Sequence, residues 1–174
     1  MAETLERETL DHLARDIKDI LQADPGAGGK QKICERLSKT LLDKEFVSEH
    51  LPVRAPGAHP RKVLYEDPDL GFCICGHVYD KPAKGSPHDH GSSWAIYGQA
   101  EGKTEMTEWE IVEKGEGDAP SLVVPEKTYT MAPGDATFYD VGVVHSPNRE
   151  KPVKLVRIEG ANLDTVQRSN IKAK

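Results

Sequence analysis

The chain has 174 residues, of which 37% are hydrophobic and 30% charged, and its formal net charge is −6. This length fits one domain with a single sizeable core. The negative charge and the lack of any Lys/Arg cluster argue against nucleic acid and anionic membranes as partners. No apolar run reaches the roughly 20 residues that cross a bilayer.

The N-terminal segment and the cysteines bear on the compartment. Residues 1–6 are acidic and lack the basic and apolar parts of a secretory signal, so we expect a cytoplasmic protein. A reducing compartment would keep the three cysteines as thiols. Cys73 and Cys75 lie two apart in a candidate strand, and we interpret them as small apolar residues inside a barrel.

The first part of the chain predicts helices. Apolar residues recur at helical spacing at Leu10, Leu13, Ile17, Ile20 and Leu21. Pro25 and the glycines of 26–29 end this pattern. Ile33, Leu37 and Leu41 mark a second helix, and a short third turn is expected around Phe46. We therefore assign residues 1–52 to a helical appendage that packs on a sheet or on another subunit.

From about Arg61 onward the pattern changes to short β-rich runs separated by Gly, Pro and Asp. Nine strands are predicted, at 62–65, 71–77, 94–99, 104–112, 122–124, 128–131, 136–139, 143–146 and 153–158. Short strands at this spacing are typical of a β-sandwich or a β-barrel.

Histidines supply the most informative chemistry. His88 and His90 are two residues apart, so on an extended segment both imidazoles point to the same side and can grip one metal ion. His145 follows an apolar, glycine-containing run late in the chain. In an antiparallel barrel such a late strand can lie beside the first pair, and His145 would then supply a third ligand.

These two segments resemble the two motifs of the cupin superfamily. The first motif, an HxH pair followed by Glu and then Gly, is matched at His88, His90 and Gly102. The second motif is matched at Gly134, Gly142 and His145, with Asp140 at its Pro position and Asn148 one residue early. The resemblance implies a mainly β chain with N-terminal helices, whose residues 53–174 form a double-stranded β-helix, or jelly-roll cupin barrel, within a single domain overall.

The resemblance also implies a metal. Trp94 and Ala95 stand at the usual Glu position, so three neutral imidazoles remain, as in the three-histidine iron site of the cysteine dioxygenase branch. We therefore expect Fe(II), while histidine ligation alone leaves Zn, Mn and Ni open. Three neutral ligands leave the full charge on the metal and favour a small anionic substrate, such as a thiolate, with dioxygen as co-substrate. Cupins often form homodimers, which we expect here as well.

Other site residues are carried over by position. Arg61 or Lys62 stands about where that branch places the arginine that holds a substrate carboxylate. The branch's Ser-His-Tyr set on the last strand is replaced here, which makes Arg157 and Glu159 the inward-facing candidates, with Arg157 as an alternative anion clamp. Trp94 and Gln99 are candidates for lining the pocket.

Three functions remain open on the sequence. The first is an iron-dependent thiol dioxygenase. The second is a cupin that binds metal and a small molecule without turnover. The third is an isomerase or hydrolase that uses the metal as a Lewis acid, which an acid/base residue such as Glu108 or Tyr139 beside the metal would favour.

Overall fold

The computed structural model describes residues 7–174, which form three helices and ten strands. The acidic segment 1–6, on which the expectation about a secretory signal was based, lies outside the described residues. Within residues 7–174, no helix has both the length and the apolar character that spanning a membrane requires.

All three α-helices precede the strands in the chain. The helices are α1 (Leu10–Ala23), α2 (Ala27–Leu41) and α3 (Lys44–His50). The strands are β1 (Arg61–Glu66), β2 (Cys73–Tyr79), β3 (Ala83–Lys84), β4 (Ala95–Glu101), β5 (Thr104–Glu113), β6 (Ser121–Met131), β7 (Ala136–Tyr139), β8 (Val144–Arg149), β9 (Val153–Glu159) and β10 (Ile171–Ala173).

Side-chain caps begin two of the helices. Thr9 accepts a hydrogen bond from the backbone N–H of His12, and Asp43 accepts one from Phe46. Helix α2 starts at Ala27, inside the glycine run that was predicted to separate two helices. A Cβ at Gly29 would lie 1.8 Å from the Asp24 carbonyl oxygen, so glycine permits the close approach of α2 to the end of α1.

Ten strands form two five-stranded sheets, ordered β1-β2-β9-β4-β7 and β10-β6-β5-β8-β3. Strand alternation divides the core into two parts. Ile74, Ile96 and Val156 of the first sheet pack in one cluster with helix residues such as Leu13 and Leu37. A second cluster joins both sheets and contains Ala95, Tyr97, Met106, Met131 and Tyr139. The helices therefore cover one face of the first sheet, and the second sheet covers the other.

This mainly β architecture of two curled sheets with three helices confirms the predicted double-stranded β-helix with N-terminal helices. The sequence pattern split β6 into two strands, whereas one strand runs through Pro125. The register shift between Glu108 and Trp109 of β5 accommodates the proline, which cannot donate a ladder hydrogen bond. Strands β3 and β10 were not predicted.

The C-terminal segment crosses the turn that carries the HxH pair. After a 3-10 turn at Leu163–Thr165, Ser169 donates its backbone N–H to Asp89 at 3.0 Å. Gly91 has φ +58°, and a Cβ there would meet the Gln167 carbonyl oxygen at 2.1 Å. Asp89 and Gly91 therefore fix the turn against the C-terminal segment.

Candidate metal centre

The two predicted histidine segments lie side by side. His88 and His145 exchange both backbone hydrogen bonds, at 3.1 and 2.9 Å, as an isolated antiparallel bridge. His145 is the second residue of β8, and His90 follows His88 in the loop before β4. One ligand atom from each of the three imidazoles lies within 4.8 Å of the other two. The topology thus brings the three candidate ligands to one point.

Burial keeps these imidazoles neutral. His90 and His145 are buried and His88 is partly buried. Desolvation is the largest cause that lowers the pKa of His88 to about 4, of His90 to about 2 and of His145 to about 3. Each imidazole therefore offers a lone pair to a metal at neutral pH, since the ligating form is the unprotonated one.

Backbone carbonyls select the ligating nitrogen of two histidines. The Nδ1 atom of His88 lies 2.9 Å from the Ser86 oxygen, and that of His145 lies 3.1 Å from the Val143 oxygen. A carbonyl only accepts, so both Nδ1 atoms carry the proton and both Nε2 atoms carry the lone pair. His90 Nδ1 is buried without a hydrogen-bond partner among residues 7–174.

Tyr97 reaches the same point, and the sequence prediction missed it. Its hydroxyl oxygen lies 3.0 Å from His90 Nε2 and 3.2 Å from His145 Nε2, and these two nitrogens are 3.2 Å apart. Tyr97 lies on β4 two residues before Gln99, so alternation places both on the barrel interior. That alternation was the available signal, because Gln99 was considered as an inward residue and Tyr97 was not.

An ionic network lies beside Tyr97. Arg157 pairs with Tyr97 across β9 and β4, and its Nη1 lies 3.4 Å from the Tyr97 hydroxyl. The carboxylate of Glu159 is fully buried and accepts from Arg157 Nε at 2.8 Å and from Arg61 Nη2 at 2.8 Å. Arg61 also pairs with Asp164 at 2.6 Å. Arg61 and Glu159 are therefore bonded to each other, and Arg157 links them to Tyr97.

Burial raises the pKa of a carboxylate, but the hydrogen bonds from Arg61 and the charge of Arg157 hold the pKa of Glu159 below its usual value. Glu159 therefore carries a negative charge at neutral pH. Arg61 has a second carboxylate partner in Asp164, so Glu159 is the carboxylate that faces Arg157 beside the histidines.

The remaining candidate residues lie away from the histidine nitrogens. Lys62 is exposed. Trp94 belongs to the helix-side cluster, with its ring 6.4 Å from that of Phe138. Gln99 is buried and accepts from the Thr104 hydroxyl at 2.9 Å.

Tyr139 and Glu108 are close to His145 but have other partners. The Tyr139 ring stacks on His145 with centroids 4.1 Å apart, while its hydroxyl bonds to that of Tyr129 at 2.5 Å. Glu108 is the strand neighbour of His145 and forms an ion pair with Lys127 at 2.5 Å. The Tyr139 hydroxyl is therefore bonded elsewhere, whereas Glu108 shares the face of His145 and pairs with Lys127 without joining the group of three imidazoles.

Comparisons with known proteins concern the fold. No family model matches the chain, and no curated protein matches it. A solved double-stranded β-helix protein from Klebsiella pneumoniae is 16% identical, with a TM-score of 0.49, over 71% of this chain and 93% of that one. A cupin superfamily protein from Desulfitobacterium hafniense is 11% identical, with a TM-score of 0.47, over 64% of this chain and 85% of that one. KdgF from a Halomonas species is 21% identical, with a TM-score of 0.41, over 64% of this chain and 80% of that one. The fold assignment rests on the two sheets themselves.

The donor set fits a divalent transition metal. Imidazole nitrogen suits Fe, Zn, Cu and Ni, and two of the three ligands are oriented by backbone carbonyls as metal-binding histidines commonly are. Ala95 stands where the first cupin motif, which this segment resembles, has a carboxylate, and it is fully buried on the interior face. The three histidines could therefore hold a metal ion through neutral nitrogens.

Proposed function

We propose that this chain is an Fe(II)-dependent oxidoreductase of the thiol dioxygenase type, which acts on a small anionic substrate with dioxygen. The observation that carries the proposal is the set of three neutral imidazoles with a phenol hydroxyl and a guanidinium beside them, to which no carboxylate of residues 7–174 adds a further ligand atom within the same 4.8 Å. Bound iron would supply a site where a thiolate and dioxygen can meet.

The residues around the histidines support an anionic substrate. Three neutral ligands leave the charge of a divalent ion uncompensated, so an anion gains Coulomb energy there. Arg157 places a guanidinium on the same side, with its Nη1 atom 3.4 Å from the Tyr97 hydroxyl. Since Arg61 is already bonded to Glu159 and Asp164, Arg157 is the better placed of the two to orient the substrate.

The hydroxyl of Tyr97 is the polar group closest to the ligand nitrogens. It lies within hydrogen-bond distance of two of them and of Arg157. From this position the residue can orient a bound substrate or exchange a proton with it. The Lewis-acid alternative has less support, because Glu108 and Tyr139 are committed to Lys127 and Tyr129.

Oxygen uptake tests the proposal. Protein loaded anaerobically with Fe(II) is mixed with air-saturated buffer and a panel of small thiols that do or do not carry a carboxylate. We expect thiol-dependent uptake by wild type and by His59→Ala, which changes an exposed histidine, and none by His145→Ala. Stoichiometric iron without uptake for any thiol would refute the dioxygenase and leave a metal-binding protein of another function.

A further inference from the structure

Arg149, the last residue of β8, is a buried cation. Its relative exposure is 5%, and its Nε atom is buried without a hydrogen-bond partner among residues 7–174. The guanidinium carbon lies 4.5 Å from the centroid of the Tyr79 ring. Arg149 is four residues after His145 on the same strand, so alternation places both side chains on the interior face of the barrel.

No carboxylate of the described residues pairs with this guanidinium. Glu159 pairs with Arg61 and Arg157, whereas Arg149 has no ion-pair partner within residues 7–174. Burial is the first cause that lowers the pKa of Arg149, although nearby tyrosine phenols raise it. A guanidinium stays protonated in proteins, and buried charges are as a rule paired. The Tyr79 ring offsets the burial only in part, because it carries no net charge.

A second group without a partner lies against the same ring. His77 is 4% exposed, and its Nε2 atom is buried with no hydrogen-bond partner in the part of the chain that the structure describes. Its ring centroid lies 6.2 Å from that of Tyr79. Burial, followed by the charges of Arg157 and Arg149, lowers the pKa of His77 well below its usual value. The imidazole is therefore neutral and can donate an Nε2 proton to an anion.

The surroundings favour a carboxylate as that anion. One negative charge balances one guanidinium, whereas a second charge would stay buried and unpaired. The planar guanidinium fork matches the two oxygens of a carboxylate. Leu155, the register partner of His77 on β9, is buried, so little water screens the pairing. Tyr79 and Ala83 line a cavity of about 130 Å³, and Ala83 is the register partner of Arg149 on β3, so open space reaches the neighbours of the guanidinium.

We infer that Arg149 and His77 form a carboxylate-binding site inside the barrel, at the other end of β8 from His145. The Cα atoms of His145 and Arg149 are about 13 Å apart, at about 3.3 Å per residue of strand. A free small acid and the far carboxylate of a substrate whose thiolate reaches the histidines present the same chemistry at Arg149. The site itself needs no metal, so it does not depend on the proposed function.

Stabilisation of metal-free protein by acetate tests the inference. Melting temperatures are recorded in rising sodium acetate, with sodium chloride adjusted to keep the ionic strength constant. A ligand that binds only the folded state raises the melting temperature. We expect this rise in wild type and in Arg15→Met, which removes an exposed arginine of α1. In Arg149→Met the dissociation constant for acetate should be about 10- to 100-fold higher, since a charged hydrogen-bonding group is lost.

The variants are chosen to fold. Methionine keeps an apolar stem and removes an unpaired buried charge, so Arg149→Met should be at least as stable in chloride as wild type. His77→Leu gives a second measurement, because it keeps the positive charge and should weaken acetate binding less than Arg149→Met does. An equal rise in wild type and Arg149→Met, or no rise in wild type, would overturn the inference and leave the three-histidine centre intact.

Calorimetry tells the two sources of the carboxylate apart. Zn(II)-loaded wild type is titrated with hexanoate bearing a terminal thiol. One molecule bound per chain, weakened in Arg149→Met, would mean that the same molecule reaches the metal and Arg149. Two molecules per chain, of which Arg149→Met loses one, would mean that a free acid fills the site. Binding that Arg149→Met leaves unchanged would overturn the inference.

Discussion

Replacing Glu159 by Gln should destabilise the fold strongly. The carboxylate accepts five hydrogen bonds or ion-pair contacts, from Arg61 Nε and Nη2, from Arg157 Nε and Nη2, and from the backbone N–H of Leu163. Gln keeps one acceptor oxygen and turns an N–H group toward donors, which leaves the buried Arg157 without its carboxylate partner and leaves Arg61 with Asp164 alone. Losing one partner of a buried ionic network costs about 3–5 kcal/mol.

Urea unfolding, followed by circular dichroism, measures this cost as a change in the free energy of unfolding. Thermal unfolding measures it as a change in melting temperature, which should fall by roughly 6–20 °C at about 2–4 °C per kcal/mol for a chain of this size. Glu101→Gln is the matched control, because Glu101 pairs with Lys154 at 3.4 Å on the surface with a side chain 54% exposed. Exposed pairs contribute about 0–1 kcal/mol. Equal effects of the two substitutions would refute the view that Glu159 stabilises the barrel interior.

The stability difference between wild type and Glu159→Gln should depend on pH. The pKa of Glu159 is held below its usual value in the folded state. Its contribution is therefore present above the unfolded pKa of about 4.3 and is lost as pH falls through the folded value. The stability difference between wild type and Glu159→Gln should be largest at neutral pH and should shrink below about pH 4. A difference that grows on acidification would contradict the assigned charge state.

Two further substitutions test the packing around the barrel. Leu37→Ala should cost about 2–5 kcal/mol in urea unfolding, because Leu37 is fully buried where α2 meets Gly98 of β4; a cost under 1 kcal/mol would mean that the helices contribute little to the core. Gly91→Ala should speed proteolysis of the C-terminal segment, because a methyl group there would meet the Gln167 oxygen, whereas Gly142→Ala, also at a positive φ but in open space, should not. Equal proteolysis of the two variants would refute the packing of the C-terminal segment against the turn at Gly91.

Much of the strand pattern could be predicted because it depends on local chemistry. Strand β7 matches the predicted 136–139, since turn residues bound it on both sides. The two-residue strand β3 is too short to produce any alternation, and β10 has three residues and pairs in parallel with the distant β6. Pro125 ended a predicted strand, because the register shift that accommodates it, with Glu126 left unpaired, depends on the pairing of β6 with β5 and is not a local signal.

The candidate site also combines features that local sequence predicts with features that depend on long-range strand pairing. The spacing of His88 and His90 predicted two ligands because an HxH pair is a local signal, and the second motif supplied His145. Tyr97 was within reach of the same argument, since strand alternation places it beside Gln99. The bonding of Arg61 to Glu159 was not, because it depends on the order in which β1, β2 and β9 pair. Whether a charged residue is available to a substrate or already bonded is decided by these long-range pairings.

The most direct test of the account is the metal content of the purified protein. Elemental analysis would compare wild type with His145→Ala and with His59→Ala, with folding checked by circular dichroism. We predict near-stoichiometric iron in wild type and in His59→Ala, and a loss of most of it in folded His145→Ala. A folded wild type that takes up no metal, or a His145→Ala protein that retains it fully, would contradict the three-histidine centre.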